Sequence, residues 1–275
     1  MKITYLGTAA AESIPALFCN CTWCRQAKAN GGKDVRTRSQ ALIDDCLLVD
    51  YPPDSYAHMK DHAVDLPHIH SILVTHTHQD HLYLEDLGLR FSGFCQEIDG
   101  ELTLYGNDRL CERFTALYAS DPADTHLRGL LSARELAPFE AAGIEDYLVT
   151  PLLASHDKRE RCYIYLVEKD GKSLLYGNDT GWFPNATWAH LAGRRLDLVS
   201  LDCTTMKYRE GTNHMGIDDV LDVRTELRRL GCADEGTTFV VTHFSHNGHM
   251  LHADLEAVLV PRGIQVAYDG FSVTV

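Results

Sequence analysis

The densest run of chemically capable residues is Thr75-His76-Thr77-His78-Gln79-Asp80-His81, directly behind the apolar stretch 71–75. On an extended segment residues i and i+2 point the same way, so His76 and His78 can grip one metal ion with two imidazoles. Asp80 and His81 follow where the chain turns and can reach a second ion. Loops just past strand ends are where α/β proteins place ligand chemistry. A His-rich exposed turn would carry the same letters. Four ligand-type residues within six positions, behind a buried strand, favour the metal reading.

Three later apolar runs each end in one ligand residue: Leu152-Leu153-Ala154-Ser155-His156, Leu174-Leu175-Tyr176-Gly177-Asn178-Asp179 and Val240-Val241-Thr242-His243. A single His at a strand end is ordinarily a surface residue. In order behind the first motif, these complete a pattern: His76, His78 and His156 for one ion, Asp80, His81 and His243 for another, Asp179 as the bridge. Imidazole and carboxylate donors suit Zn, Mn or Fe(II), and two ions about 3.5–4 Å apart can share one hydroxide. Asp80 and Asp179 therefore count as catalytic as well as ligating.

Cys19-Asn20-Cys21-Thr22-Trp23-Cys24 is a second cluster. Cys19, Cys21 and Cys24 offer three thiolates, and a closed structural zinc takes four ligands. A histidine is the natural fourth. His246, three residues after His243, would place a catalytic and a structural ligand on one short loop; His249 and His252 remain open as alternatives. Three reduced cysteines in a loop are the bland reading.

Elements must position these groups. Runs at 2–6, 41–43, 46–49, 71–75, 102–105, 146–153, 162–168, 173–176, 196–201 and 238–242 read as strands, with Asp44-Asp45 as a hairpin turn. Helical spacing marks 84–91, 109–118 and 217–230, the last ending at Gly231. Strands in runs, then alternating with helices, predict an α/β sandwich of two sheets rather than a barrel. Leu102-Thr103-Leu104-Tyr105-Gly106-Asn107-Asp108 nearly repeats Ser173-Leu174-Leu175-Tyr176-Gly177-Asn178-Asp179. Asp108 reads as a helix N-cap. No Pro/Ser-rich linker interrupts the 275 residues, so one domain, 1–275, is expected, with the Cys-rich zinc-binding loop at about 19–24.

Apolar residues are 45% of the chain and charged residues 23%, which excludes whole-chain disorder. The net charge of −14 argues against DNA or general nucleic-acid binding, which needs a basic face. No apolar run approaches a membrane span of roughly 18 residues. Six of nine cysteines are scattered singly, which is no disulfide framework and points to a reducing cytoplasm.

The ordered set His76-x-His78-x-Asp80-His81, His156, Asp179 and His243 resembles the metallo-β-lactamase fold hydrolases over nearly the whole chain. That resemblance implies an αββα four-layer sandwich, two mixed β-sheets flanked by helices, with a dimetal site at one edge. It implies that Asp50, ending Leu47-Leu48-Val49-Asp50, orients a ligand histidine. Leu84 stands where the family usually has glycine, and its bulk is expected to reshape the pocket. With the cysteine cluster, the chain is similar to the PhnP-like phosphodiesterase branch. That branch cleaves cyclic phosphodiesters such as 5-phosphoribosyl 1,2-cyclic phosphate and carries a structural zinc. In that light His214, in Asn213-His214-Met215-Gly216, resembles the extra histidine placed over the scissile phosphate. The expectation is a dimetal phosphodiesterase of a small substrate; a homodimer is only what the resemblance implies, and the residues themselves leave the oligomeric state open. A tRNA 3′-processing nuclease would need a basic arm that is not visible. A PqqB-like accessory protein would not need the ligand set intact. Loops 91–100 and 120–139 are expected to set specificity. The remaining histidines, His58 and His126 among them, are left to the surface or to unknown roles.

Overall fold

Strands covered on both faces read as short continuous apolar runs, and the strands around the candidate ligands are of this kind. The computed structural model describes residues 1–91, 93–118 and 128–275. His126 and part of loops 91–100 and 120–139 lie outside the described residues. In chain order the strands are β1 (Lys2–Gly7), β2 (Gln40–Ile43), β3 (Leu47–Val49), β4 (Ser71–Leu73), β5 (Leu102–Gly106), β6 (Leu131–Glu135), β7 (Ala142–Ile144), β8 (Tyr147–Leu153), β9 (Tyr163–Lys169), β10 (Lys172–Gly177), β11 (Leu198–Asp202), β12 (Thr238–Thr242), β13 (Ile264–Val266) and β14 (Phe271–Thr274). The helices are α1 (Thr22–Asn30), α2 (Ser55–His62), α3 (Asp108–Tyr118), α4 (Asn185–Leu191), α5 (Ile217–Arg229) and α6 (His252–Leu259).

Two seven-stranded sheets result, ordered β14-β1-β2-β3-β4-β5-β6 and β13-β12-β11-β10-β9-β8-β7. Both follow one plan. β14-β1-β2-β3 pair antiparallel and β3-β4-β5-β6 parallel. Likewise β7-β8-β9-β10 pair antiparallel and β10-β11-β12-β13 parallel. β3 and β10 are thus counterparts, each fourth in its sheet, where antiparallel pairing gives way to parallel.

Strand alternation divides the core among three interfaces. Leu47 and Val49 of β3 and Leu174 and Tyr176 of β10 meet between the sheets. Leu48 faces outward among Leu104, Leu110 and other apolar groups. Leu175 faces outward with Val220, Val223 and Leu227 of α5. Three interfaces separate four layers, the αββα sandwich.

Several expectations need correction. β4 ends at Leu73, so the motif 75–81 is loop rather than strand from its first residue. The stretch read as helical at 84–91 is a helix of the tighter 3₁₀ kind, Leu84–Arg90. Leu84 is buried in the outer core beside Leu87, not in a substrate cleft. Asn107, not Asp108, caps α3: its Oδ1 accepts from the Leu110 N–H at 2.9 Å, while Asp108 is already helical. His58 is buried, between Gln40 Oε1 and Thr37 Oγ1 at 2.7 Å each. Four short helices (α1, α2, α4, α6) escaped the sequence reading because seven to nine residues carry too few apolar repeats to set a period. Cys21 itself starts α1, its sulfur accepting from the Cys24 N–H.

Candidate metal centre

The C-terminal ends of β3, β4, β10, β11 and β12 and the β8–β9 loop meet at one edge of the sandwich. Asp50, past β3, accepts from the Thr75 N–H (2.8 Å) and hydroxyl (2.9 Å) and from His81 Nδ1 (2.7 Å). These bonds pin the start of the histidine motif and turn His81 Nε2 away from Asp50. The chain then reverses, with the His81 and Leu82 N–H groups donating to the His78 carbonyl.

Nε2 of His81 lies 3.2 Å from Nε2 of His243. Asp179 sits among them. Its oxygens are 3.3 Å from His76 Nε2, 3.1 Å from His81 Nε2, 3.3 Å from His156 Nδ1 and 3.7 Å from His243 Nε2. His76, His78, His156 and Asp179 offer donor atoms all within 4.8 Å of one another, and so do Asp80, His81, Asp179 and His243. The two sets share Asp179. Buried polar atoms ordinarily find hydrogen bonds, yet His76 Nε2 and Asp179 Oδ1 are buried with none in position. Imidazole nitrogens and carboxylate oxygens converging from several elements, some with no hydrogen-bond partner, are the arrangement that divalent ions satisfy. The donor set fits two such ions.

The local electrostatics agree with dense packing of ionisable groups. Burial, with the nearby His81 charge, pushes His76 well below the ordinary imidazole range. Burial also opposes charge on His81, but Asp80 and Asp50 outweigh it and hold His81 well above that range. Burial would raise Asp179; His243, His214 and His81 instead hold its carboxyl far below the usual value.

His214 enters from the loop before α5. Its Nδ1 is 3.2 Å from Asp202 Oδ2 and 3.0 Å from Asp179 Oδ1. Burial works against its charged form, but the nearby Asp179 and Asp202 carboxylates outweigh it and raise it to about 11. Gly216 fixes this loop: a Cβ there would lie 2.0 Å from the Tyr208 carbonyl oxygen. Asp202, at the end of β11, was missed from sequence. It is fully buried and accepts from the Met215 and Thr204 N–H groups at 2.8 and 2.9 Å. Thr204 Oγ1 in turn lies 2.8 Å from His243 Nδ1. Leu198-Val199-Ser200-Leu201-Asp202 has the same form as the run ending at Asp50, an apolar strand closing on a carboxylate, and that signal could have found it. Two clefts open at the centre. One of about 450 Å³ is lined by Asp80, Asp179, His214, His243 and Tyr208. The other, about 1040 Å³, shares His78 and His156 and adds Lys158, Arg159 and Arg161.

The cysteine cluster forms apart from this centre. Cys19, Cys21, Cys24 and His246 bring their donor atoms together, with His246 Nδ1 3.5 Å from Cys21 Sγ and 3.8 Å from Cys19 Sγ. The other two candidates are engaged elsewhere. His249 stacks on Trp23 and meets the Tyr208 hydroxyl at 2.8 Å, and His252 Nδ1 meets Arg36 at 2.9 Å. Between His243 and His246, Phe244 pairs with the loop after β1, accepting from Ala10 N–H and donating to Thr8 O. One loop thus spans both clusters.

Residues 46–244 match the β-lactamase superfamily domain, and the chain belongs to that family. The architecture above is the metallo-β-lactamase fold. Among solved structures it is similar to a diphosphatase from the PhnP family, at 23% identity and a TM-score of 0.76 over 100% of this chain and 97% of that one. It is also similar to Zn(II)-bound PqqB from Methylobacterium extorquens, at 20% identity and a TM-score of 0.69 with both chains fully covered. Human tRNase Z, short form, follows at 16% identity and a TM-score of 0.62 over 100% and 99% of the two chains. No curated protein matches this chain in sequence. No helix among the described residues is long and apolar enough to cross a membrane.

Proposed function

We propose that this protein is a metal-dependent phosphodiesterase acting on a small diester. One observation carries the reading. His214 belongs neither to the set of His76, His78, His156 and Asp179 nor to that of Asp80, His81, Asp179 and His243; it converges instead with Asp179, Asp202 and His243, and it lines the cleft with its Nδ1 on the buried Asp202 carboxylate. The similarity to a PhnP-family diphosphatase supports the same class. His76, His78 and His156 would hold one divalent ion, Asp80, His81 and His243 the other, and Asp179 both; Zn and Mn are the first candidates. Bound there, such ions supply Lewis-acid polarisation of phosphoryl oxygens and an activated water near neutral pH.

The chain's own residues do the rest. Asp50 and Thr204 hold the rings of His81 and His243 so that each Nε2 faces Asp179. Asp202 holds the Nδ1 side of His214, which leaves Nε2 for the cleft. There it binds a phosphate oxygen or gives a proton to the departing alkoxide, a contribution typically of 10²–10⁴-fold. The Cys19, Cys21, Cys24 and His246 set has four donors, enough to close a tetrahedral zinc and leave no position for substrate.

The test is a screen of bis(p-nitrophenyl) phosphate and of cyclic and linear diesters with Mn²⁺, Zn²⁺ or Fe²⁺ added, and again after chelation. Turnover that needs the ion is expected. His214→Ala should lower kcat far more than it raises KM on a diester with a poor leaving group. A metal-loaded chain that turns over no diester would overturn the proposal and favour an accessory role.

A further inference from the structure

We propose that Asp157, clamped by Arg159, is a positioning residue that sets the ring of His78 for the metal centre. The proposal rests on reading His76, His78, His156 and Asp179 as ligands of one ion. An imidazole ligand presents one nitrogen to the ion and its N–H elsewhere, and the partner of that N–H fixes tautomer and ring orientation. His78 Nδ1 faces inward, 3.3 Å from His156 Nε2 within the ligand set. Its Nε2 points to the other side, 2.9 Å from Asp157 Oδ2.

His78 needs such a partner more than its neighbours do. His81 and His243 are enclosed in protein, with Asp50 and with Thr204 and Asp202 behind them. The His78 side chain is 33% exposed, so packing alone does not hold its ring. Asp157 is only 11% exposed and is itself fixed. The Arg159 N–H donates to Oδ1 at 2.8 Å, and the Arg159 guanidinium meets the carboxylate at 2.6–3.0 Å through Nε and Nη2. Arg159 is 82% exposed, and an exposed ion pair of this kind contributes little to stability. Its consequence is orientation.

The loop between β8 and β9 therefore grips the motif more than once. It supplies His156 as a ligand and Asp157 behind His78. From Glu160 it also supplies oxygens that accept from the Thr77 N–H (3.1 Å) and hydroxyl (3.0 Å), between the two ligand histidines. His78, Asp157 and Glu160 converge closely enough to suggest a separate cation site. Their donors argue otherwise: Glu160 is already taken by Thr77 and Asn107, and Asp157 by His78 and Arg159.

The experiment titrates the metal-depleted full chain with Zn²⁺ against a chromophoric chelator. Asp157→Ala should bind one of the two active-site ions tenfold to a hundredfold more weakly, leaving the other unchanged. Arg159→Ala should shift the same ion in the same direction by less. Independently of any variant, ¹⁵N-histidine NMR of the zinc-loaded wild type should show His78 protonated at Nε2. Wild-type affinities in Asp157→Ala, or a His78 proton on Nδ1, would overturn the proposal while leaving the metal centre standing. A wild-type chain that takes up no ion at these residues would overturn the metal centre too.

Discussion

β3 and β10 hold matching places in the two sheets, and each is followed within two residues by a buried aspartate in the left-handed backbone region. Asp50 has φ +66° and Asp179 φ +53°. The two differ in what their oxygens meet. Asp50 is filled by the Thr75 N–H and hydroxyl and by His81 Nδ1, all within 3.0 Å. Asp179 looks onto ring nitrogens from several directions, and its Oδ1 has no well-directed hydrogen bond. A buried carboxylate saturated by donors orients its neighbours. A buried carboxylate facing only imidazoles is built to share a cation with them. The same place in the plan of the two sheets has therefore become a hydrogen-bonded support in one and an open carboxylate among imidazoles in the other.

The largest effect should come from Asp179→Ala. It removes the shared ligand, so diesterase turnover should fall by at least about 10³-fold. Elemental analysis should show fewer bound ions, while the melting temperature of the metal-free chain changes little. Full activity with both ions retained would erase the contrast with Asp50. Asp50→Asn should reverse the balance. It unbalances a buried pair, at a cost of about 3–5 kcal/mol measurable by urea unfolding. Activity should fall through a misplaced His81 rather than through a missing ligand. Equal stability of Asp50→Asn and wild type would show that Asp50 is not the support described.

Cys21→Ser extends the contrast to a saturated site. One zinc and on the order of 3 kcal/mol of stability should be lost, with the activity per folded molecule retained. His246→Ala should match it. Loss of turnover at unchanged stability would place the cluster in the chemistry instead. The smallest effects belong to the turn after β5, which shares Tyr-Gly-Asn-Asp with the turn after β10. Asn107→Ala removes a helix cap and should cost about 1 kcal/mol. Asp108→Ala removes an ion pair with Arg161 whose two side chains are 43% and 41% exposed, and should change stability by less than about 0.5 kcal/mol and activity not at all.

Sequence alone determined much of the centre. His76, His156, Asp179 and His243 each come within three residues of the end of a largely apolar strand, so they could be placed just past strand ends without coordinates. The Cys-x-Cys-x-x-Cys spacing likewise brings three thiolates together locally, two of them across the first turn of α1. The tertiary structure decided the rest. Tyr-Gly-Asn-Asp occurs twice with opposite outcomes. After β5 an amphipathic helix follows, and Asn107 is spent on its first turn. After β10 no helix follows directly; Asn178 is buried between Ser39 and Ser200, and Asp179 turns inward. The counterpart of Asp179 proved to be Asp50, which shares its place in the sheet but not its neighbouring letters. Asp202 beneath His214, Asp157 behind His78 and the choice of His246 over His249 or His252 all depend on groups brought together from separate elements. Such contacts are fixed by how two sheets pack and where their loops cross, and a chain read residue by residue carries no distance between its ends.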